Sequence, residues 1–127
     1  MNKKYVPLIW LGVIVVIAAI IIILISTSSN GGLKDGQIVE NSYFSDKVIA
    51  IHSISCPYCK IAIPRLEEIE RENNLTFYYY DISQPIQLKQ VTNLNLSIKQ
   101  IPTIIIYGKV FIGARTKEQY EQAILRK

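Results

Sequence analysis

The sequence is poor in the residues that build metal and disulfide scaffolds: its 127 residues include two Cys, one His, one Trp and one Met. Two thiols cannot make a disulfide-rich framework, and two thiols with one imidazole cannot fill a four-ligand structural zinc site. Six Gly and five Pro exclude collagen-like and low-complexity chains. Charge is scarce as well, at 19% of residues. The net charge of +4 owes two of its cations to Lys3 and Lys4. From Ser26 onward twelve basic and ten acidic side chains nearly cancel, so no nucleic-acid partner is expected. What abounds is apolar: half of the residues are hydrophobic and the mean hydropathy is +0.23. That balance excludes intrinsic disorder and exceeds the needs of a small soluble domain.

The excess is concentrated in Val6 to Ile25, 20 residues without a charged or strongly polar side chain. As a helix this stretch covers roughly 30 Å, the hydrocarbon thickness of a bilayer. Pro7 falls in the first turn, where its missing N–H costs nothing, and Trp10 lies one turn inside. Lys3 and Lys4 precede the stretch, and an uncharged STSSNGG follows it. The positive-inside rule then predicts a single-pass signal anchor in the cell membrane, residues 6–25, with residues 1–5 cytoplasmic and the rest outside. The competing reading is a cleaved signal peptide, whose apolar region is normally about 7 to 15 residues. Residues 26–36, polar and glycine-containing, read as a flexible linker, and residues 37–127 as the domain.

Within the domain, Ile38 to Phe44 carries a weak signal for a first strand or helix. Lys47 to Ile54 is a predicted strand, β-branched and too short for a stable helix. Pro57 to Asn73 is a predicted helix with an apolar stripe that includes Ile61, Leu66 and Ile69, kinked at Pro64. A second strand is expected over Leu75 to Ile82 and a helix over Gln87 to Leu94. Thr103 to Tyr107 and Val110 to Ile112 should form a hairpin around Gly108-Lys109, before a helix over Lys117 to Arg126. The order β-α-β-α-β-β-α predicts an α/β domain: a mixed central sheet with helices on both faces.

Both cysteines fall at the seam between strand and helix, in Cys56-Pro57-Tyr58-Cys59. Backbone N–H groups and the dipole at a helix N-terminus favour a thiolate at Cys56. Cys59, on the same side of the first turn, is placed to bond to it and to resolve a mixed disulfide between Cys56 and a substrate. Pro57 fixes the first turn, and Tyr58 is expected partly exposed beside the sulfurs. Three other readings stand beside a redox dithiol: a copper site, for which His52 is the only imidazole; a structural disulfide, whose four-residue loop contributes little; and two incidental thiols, disfavoured outside the cytoplasm. The C-x-x-C beside a β-α-β pattern favours the redox dithiol.

These residues resemble the thioredoxin-like thiol-disulfide oxidoreductases over about Val48 to Leu125. Cys56-Pro57-Tyr58-Cys59, with Pro64 eight positions after the first Cys, is similar to the active-site helix of that family. Tyr80-Asp81-Ile82 is similar to the end of its third core strand. Ile98 to Thr103 is similar to the segment that carries its cis-proline, and Gly113 to Tyr120 to its last glycine and helix start. The resemblance implies a thioredoxin-like fold with Pro102 cis, although X-Pro bonds are cis in only about 5 to 6% of cases. It also implies that the Ile101 backbone pairs with a substrate chain as a short strand. Catalysis would fall to Cys56 and Cys59, supported by Pro57, Tyr58, Ile101 and Pro102, without metal or other cofactor.

Two departures bear on mechanism. The family's buried acid, six residues before the first Cys, is replaced by Ala50, leaving Asp81 or His52 as substitute proton acceptors. Its Trp before the first Cys is Ser55, and the Pro-Tyr dipeptide is typical of glutaredoxins. Anchor and size together resemble Gram-positive envelope thioredoxins, including accessory proteins of bacteriocin production. The expected partners are exported proteins or peptides with thiols or disulfides, an envelope redox partner, and the bilayer. The alternative is a non-catalytic thioredoxin-fold module that delivers copper or chaperones an exported partner.

Overall fold

The computed structural model describes residues 5–26 and 31–126. Lys3 and Lys4 of the predicted cytoplasmic segment, residues 27–30 of the predicted linker, and Lys127 lie outside the described residues. The chain divides into two units, Met1–Gly31 and Gly32–Lys127.

The first unit holds one helix, α1, Val6–Ser26. Its stretch Val6–Leu24 is long and apolar enough to cross a membrane and none of it is buried. A core helix of equal composition would hide its apolar face; this one exposes apolar side chains all round.

The second unit is a mixed α/β domain, a four-stranded sheet flanked by helices. Its elements are β1 (Val48–His52), α2 (Cys59–Glu72), β2 (Tyr78–Asp81), α3 (Pro85–Asn93), β3 (Thr103–Ile106), β4 (Lys109–Ile112) and α4 (Lys117–Leu125). The sheet order is β2-β1-β3-β4. β1 runs parallel to β2, and antiparallel pairs join β1 to β3 and β3 to β4.

Strand alternation divides the core into two layers. Val48, Ala50, Ile104 and Ile106 face Ala62, Leu66 and Ile69 of α2 and Tyr120 and Ile124 of α4. Ile49, Ile51, Ile105 and Val110 pack with Phe44 and with Val91 of α3. Helices therefore cover both faces, as the alternating pattern predicts. α2 continues through Pro64. α4 starts on a capping box between Thr116 and Gln119.

Several boundaries differ from expectation, each for a local reason. The hairpin turn is Tyr107-Gly108, not Gly108-Lys109: both residues have positive φ, 50° and 85°, the geometry a two-residue turn requires. Lys109 becomes the first residue of β4, opposite Ile106. β2 is shorter than predicted because Leu75 N donates to Glu70 O, closing the end of α2, and Phe77 N donates to Glu70 Oε1 at 2.6 Å. α3 begins two residues early, at Pro85, whose preset φ suits a first helical position. In place of a first strand or helix there is one bridge, Ile38 to Lys109, and a single 3-10 turn, Ser42–Phe44.

The predicted linker is also corrected at its far end. Leu33 N donates to Ser97 O, Gly36 N to Val110 O, and Val39 N to Gly108 O. The Asp35 carboxylate accepts from Ile112 N at 2.9 Å and from Arg115 Nη2 at 2.6 Å. Residues 33–36 thus form a strap along β4, part of the domain instead of a free tether.

Candidate functional site: the Cys56–Cys59 centre

β1 ends at His52, and a turn over Ile54-Ser55 delivers Cys56, whose N–H donates to Ser53 O at 3.1 Å. Helical hydrogen bonding begins at once, because Lys60 N donates to Cys56 O. The regular helix nevertheless starts at Cys59, two residues later than Pro57, the predicted start. Tyr58, the N-cap residue, supplies no side-chain cap. That role falls to sulfur: Cys59 N donates to Cys56 Sγ at 3.2 Å. A free amide at a helix N-terminus therefore points at the first cysteine, the arrangement that stabilises a thiolate.

The two sulfurs are bonded, with the Cα atoms 5.2 Å apart. Cys56 retains 8% of its surface and Cys59 1%, so an incoming disulfide can meet the first sulfur and the second waits behind it. Cys56 Sγ also lies 3.7 Å from Ile101 O. The Ile101-Pro102 bond is cis, and Pro102 is fully buried. Gly113 N donates to Pro102 O at 2.9 Å, tying the turn after β4 to this segment.

The structure thus brings Cys56, Cys59 and Ile101 together around the sulfur, with Pro102 beneath. Tyr58 is exposed and, with Ile101, lines a cavity of about 520 Å³ completed by Gln100, Ile112, Gly113 and Ala114. Pro57 is exposed at the start of the turn and does not line this cavity. Gln100, Ile112 and Ala114 are site residues that motif reading misses. The available signal was the glycine after the hairpin, which marks where backbone approaches the proline segment.

Of the two substitute proton acceptors, Asp81 is already engaged by a neighbour. Asp81 accepts from Ser83 N and, at 2.6 Å, from Ser83 Oγ. These two bonds hold its carboxyl below the usual carboxylate range, as befits a strand-end turn residue. His52 is half-buried and stacks edge-on to Tyr79. Burial lowers its pKa, against the opposing pull of Asp81 and Glu67. Ala50 is fully buried in the core. Among the described residues, no group of three or more His, Cys, Asp or Glu is gathered to hold a metal ion.

Cys56 and Cys59 are bonded at the start of α2, the first partly accessible and the second sealed. Among solved structures, the thioredoxin of Malassezia sympodialis, from a pan-allergen family, is similar to this chain. The likeness covers 76% of this chain and 95% of that one at 20% identity, with a TM-score of 0.45. No protein-family model and no curated protein matches the chain. What the centre can do follows from its own geometry, which is that of thiol–disulfide exchange: an accessible first sulfur, a helix amide aimed at it, and a buried partner within bonding reach.

Proposed function

We propose that the protein is a membrane-anchored thiol-disulfide oxidoreductase that exchanges disulfides with exported proteins or peptides. The observation that carries the reading is the Cys59 N–H donated to Cys56 Sγ beside a sealed Cys59. α1 is the anchor, with the N-terminus cytoplasmic and the domain outside, on the strength of Lys3 and Lys4 before the span and none of their kind immediately after it. An oxidising compartment suits a pair placed to form a disulfide. The form resembles the envelope thioredoxins that act on exported bacteriocins.

In the reducing direction the Cys56 thiolate attacks a substrate disulfide. One substrate sulfur leaves as thiolate and takes up a proton, and a Cys56–substrate bond forms. Cys59 then loses its proton and attacks Cys56 Sγ, releasing the second substrate thiol and restoring the Cys56–Cys59 bond. Two electrons pass from the dithiol to the substrate. The reverse sequence oxidises a substrate dithiol. Where the resemblance calls for a buried acid to take the Cys59 proton, Ala50 has none to offer, so that proton leaves to water or to the departing thiolate. The substrate backbone lies against Ile101 as an added strand, with its flanking side chain in the Tyr58–Ala114 cavity.

The test is a pair of trapping variants. Cys59→Ser should accumulate a mixed disulfide between Cys56 and its substrate, identifiable by mass spectrometry, and Cys56→Ser should lose all exchange. A Cys56→Ser protein with full activity in cells would overturn the enzyme and favour the non-catalytic binding module. For topology, an impermeant thiol reagent should label Cys56 in intact cells after mild reduction; an expressed protein that stays unlabelled would place the domain inside.

A further inference from the structure

We propose that the redox site selects acidic substrates: extended peptide segments that carry, to one side of the reactive cysteine, an apolar residue and then a run of carboxylates. The inference deepens the oxidoreductase reading and rests on it. Its starting point is a chain of three cavities. The first, beside Cys56, contains no charged side chain: Tyr58, Gln100, Ile101, Ile112, Gly113 and Ala114 form its walls. It fits an apolar side chain next to a substrate cysteine. Gln100 and Ile112 are also walls of a second cavity, of about 440 Å³, which adds Lys34, Lys99 and Arg115 against a single carboxylate, Asp35. Asp35 and Arg115 in turn join a third, of about 450 Å³, which adds Lys109 and Arg126.

The groove therefore changes character with distance from the sulfur, from uncharged to basic. Among the described residues, five cations and one anion line its far part, and that anion is already engaged by Arg115 at 2.6 Å. Arg115 Nε is buried without a hydrogen-bond partner among the described residues, so the guanidinium that divides the two basic cavities keeps an unmet donor.

The domain as a whole is nearly neutral, which makes the local imbalance a matter of segregation. Glu68, Glu72 and Glu121 converge on Lys117, at 3.0, 2.7 and 3.9 Å, and Glu70 is used by Phe77 N and the Tyr79 hydroxyl. None of these acids lines the groove. A strip of lysine and arginine over low-dielectric walls attracts and orients anionic chains, raising association rates in a salt-dependent way. Peptide side chains of opposite sign would be turned away by the same field.

The experiment uses the full chain, reduced, in neutral detergent micelles. Five peptides carry one cysteine as a mixed disulfide with thionitrobenzoate, whose release is read by absorbance. Two have the cysteine followed by Leu-Gly and three Glu or three Lys, two have those sequences reversed, and one has Ser in place of the charges. In at least one chain direction the Glu peptide should react about tenfold faster than its Lys counterpart at low salt. That ratio should shrink in 0.5 M salt and fall to about one in the Lys34→Glu/Lys99→Glu variant. Because each ratio comes from one protein sample, the amount of folded protein cancels. Equal rates for Glu and Lys peptides in both directions would overturn the acidic preference and leave the oxidoreductase standing, as would an unchanged ratio in the double variant. No reaction with any of the five, the Ser peptide included, would overturn the oxidoreductase itself and this inference with it.

Discussion

The helices α1 and α2 draw on the same apolar residue types, yet they arrange them in different ways. From Val6 to Leu24, α1 displays Ile, Val and Leu on every side and buries none of them. α2 places Cys59, Ala62, Leu66 and Ile69 on one buried face and sets Arg65, Glu67, Glu68 and Arg71 among the remaining positions. The comparison teaches that composition alone is ambiguous and that arrangement resolves it. A one-sided stripe fits a protein core, whereas an all-round apolar surface of this length is what a membrane span or a signal sequence carries.

Substitutions in the two helices should separate these roles. Leu66→Ala removes a fully buried side chain and should cost about 2 to 5 kcal/mol of domain stability, read as a lower denaturant midpoint for the full chain in detergent. A loss below 1 kcal/mol would mean that the α2 face is not core. Ile17→Arg, at the middle of α1, should leave that midpoint unchanged and weaken membrane insertion by about 3 kcal/mol, moving protein into the carbonate-extractable fraction. If it remained as firmly membrane-bound as the parent, α1 would not be the anchor.

Two smaller effects lie at the boundary of the domain and at its site. Asp35→Ala removes the ion pair to Arg115 and the acceptor for Ile112 N; the pair is exposed, so about 1 kcal/mol is expected. Faster amide exchange at Gly36 and Ile112 should accompany it, and unchanged exchange would mean that the strap is held without Asp35. The smallest effect is at His52. Burial lowers its folded pKa below the ordinary 6.5, so the unfolded imidazole binds a proton first as pH falls. Stability at this residue is therefore intact above about pH 6.5 and declines from there down through the lowered folded value. Melting curves from pH 8 to 5 should show this decline, and His52→Gln should flatten it; an equal slope in the variant would assign the decline to other groups.

What could be read in advance follows the range of the forces involved. The Cys pair and β1 are local patterns found where the sequence places them, and Leu66 and Ile69 of α2 are buried as expected, whereas Ile61 of the expected stripe is exposed because the buried face runs through Cys59 and Ala62 instead. Asp81 is likewise the turn residue that its strand-end position suggests. The strap was opaque because its partners lie far along the chain, Asp35 with Arg115 and Ile38 with Lys109, and one isolated bridge leaves no period to detect. The start of α2 departs from expectation because the cap is a cysteine sulfur, which no capping preference anticipates. Of the candidate site, the sulfurs and Ile101 were legible from motif and resemblance. The cavity walls Gln100, Ile112 and Ala114 were not, because separate segments meet there only after the hairpin has closed.

The short bonds on β2 bear on how such a protein keeps company with unfolded chains. β2 is an end strand of the sheet, and an end strand invites any extended polypeptide to dock. Here Phe77 N is taken by Glu70 and Asp81 N by Gln87, each at 2.6 Å, while the strap occupies the opposite rim along β4. These bonds take up part of each rim, while the backbone at Ile101 lies 3.7 Å from Cys56 Sγ. If substrates pair as proposed, the engaged rims would direct them towards Ile101 beside Cys56, and would discourage neighbouring copies from knitting their sheets together.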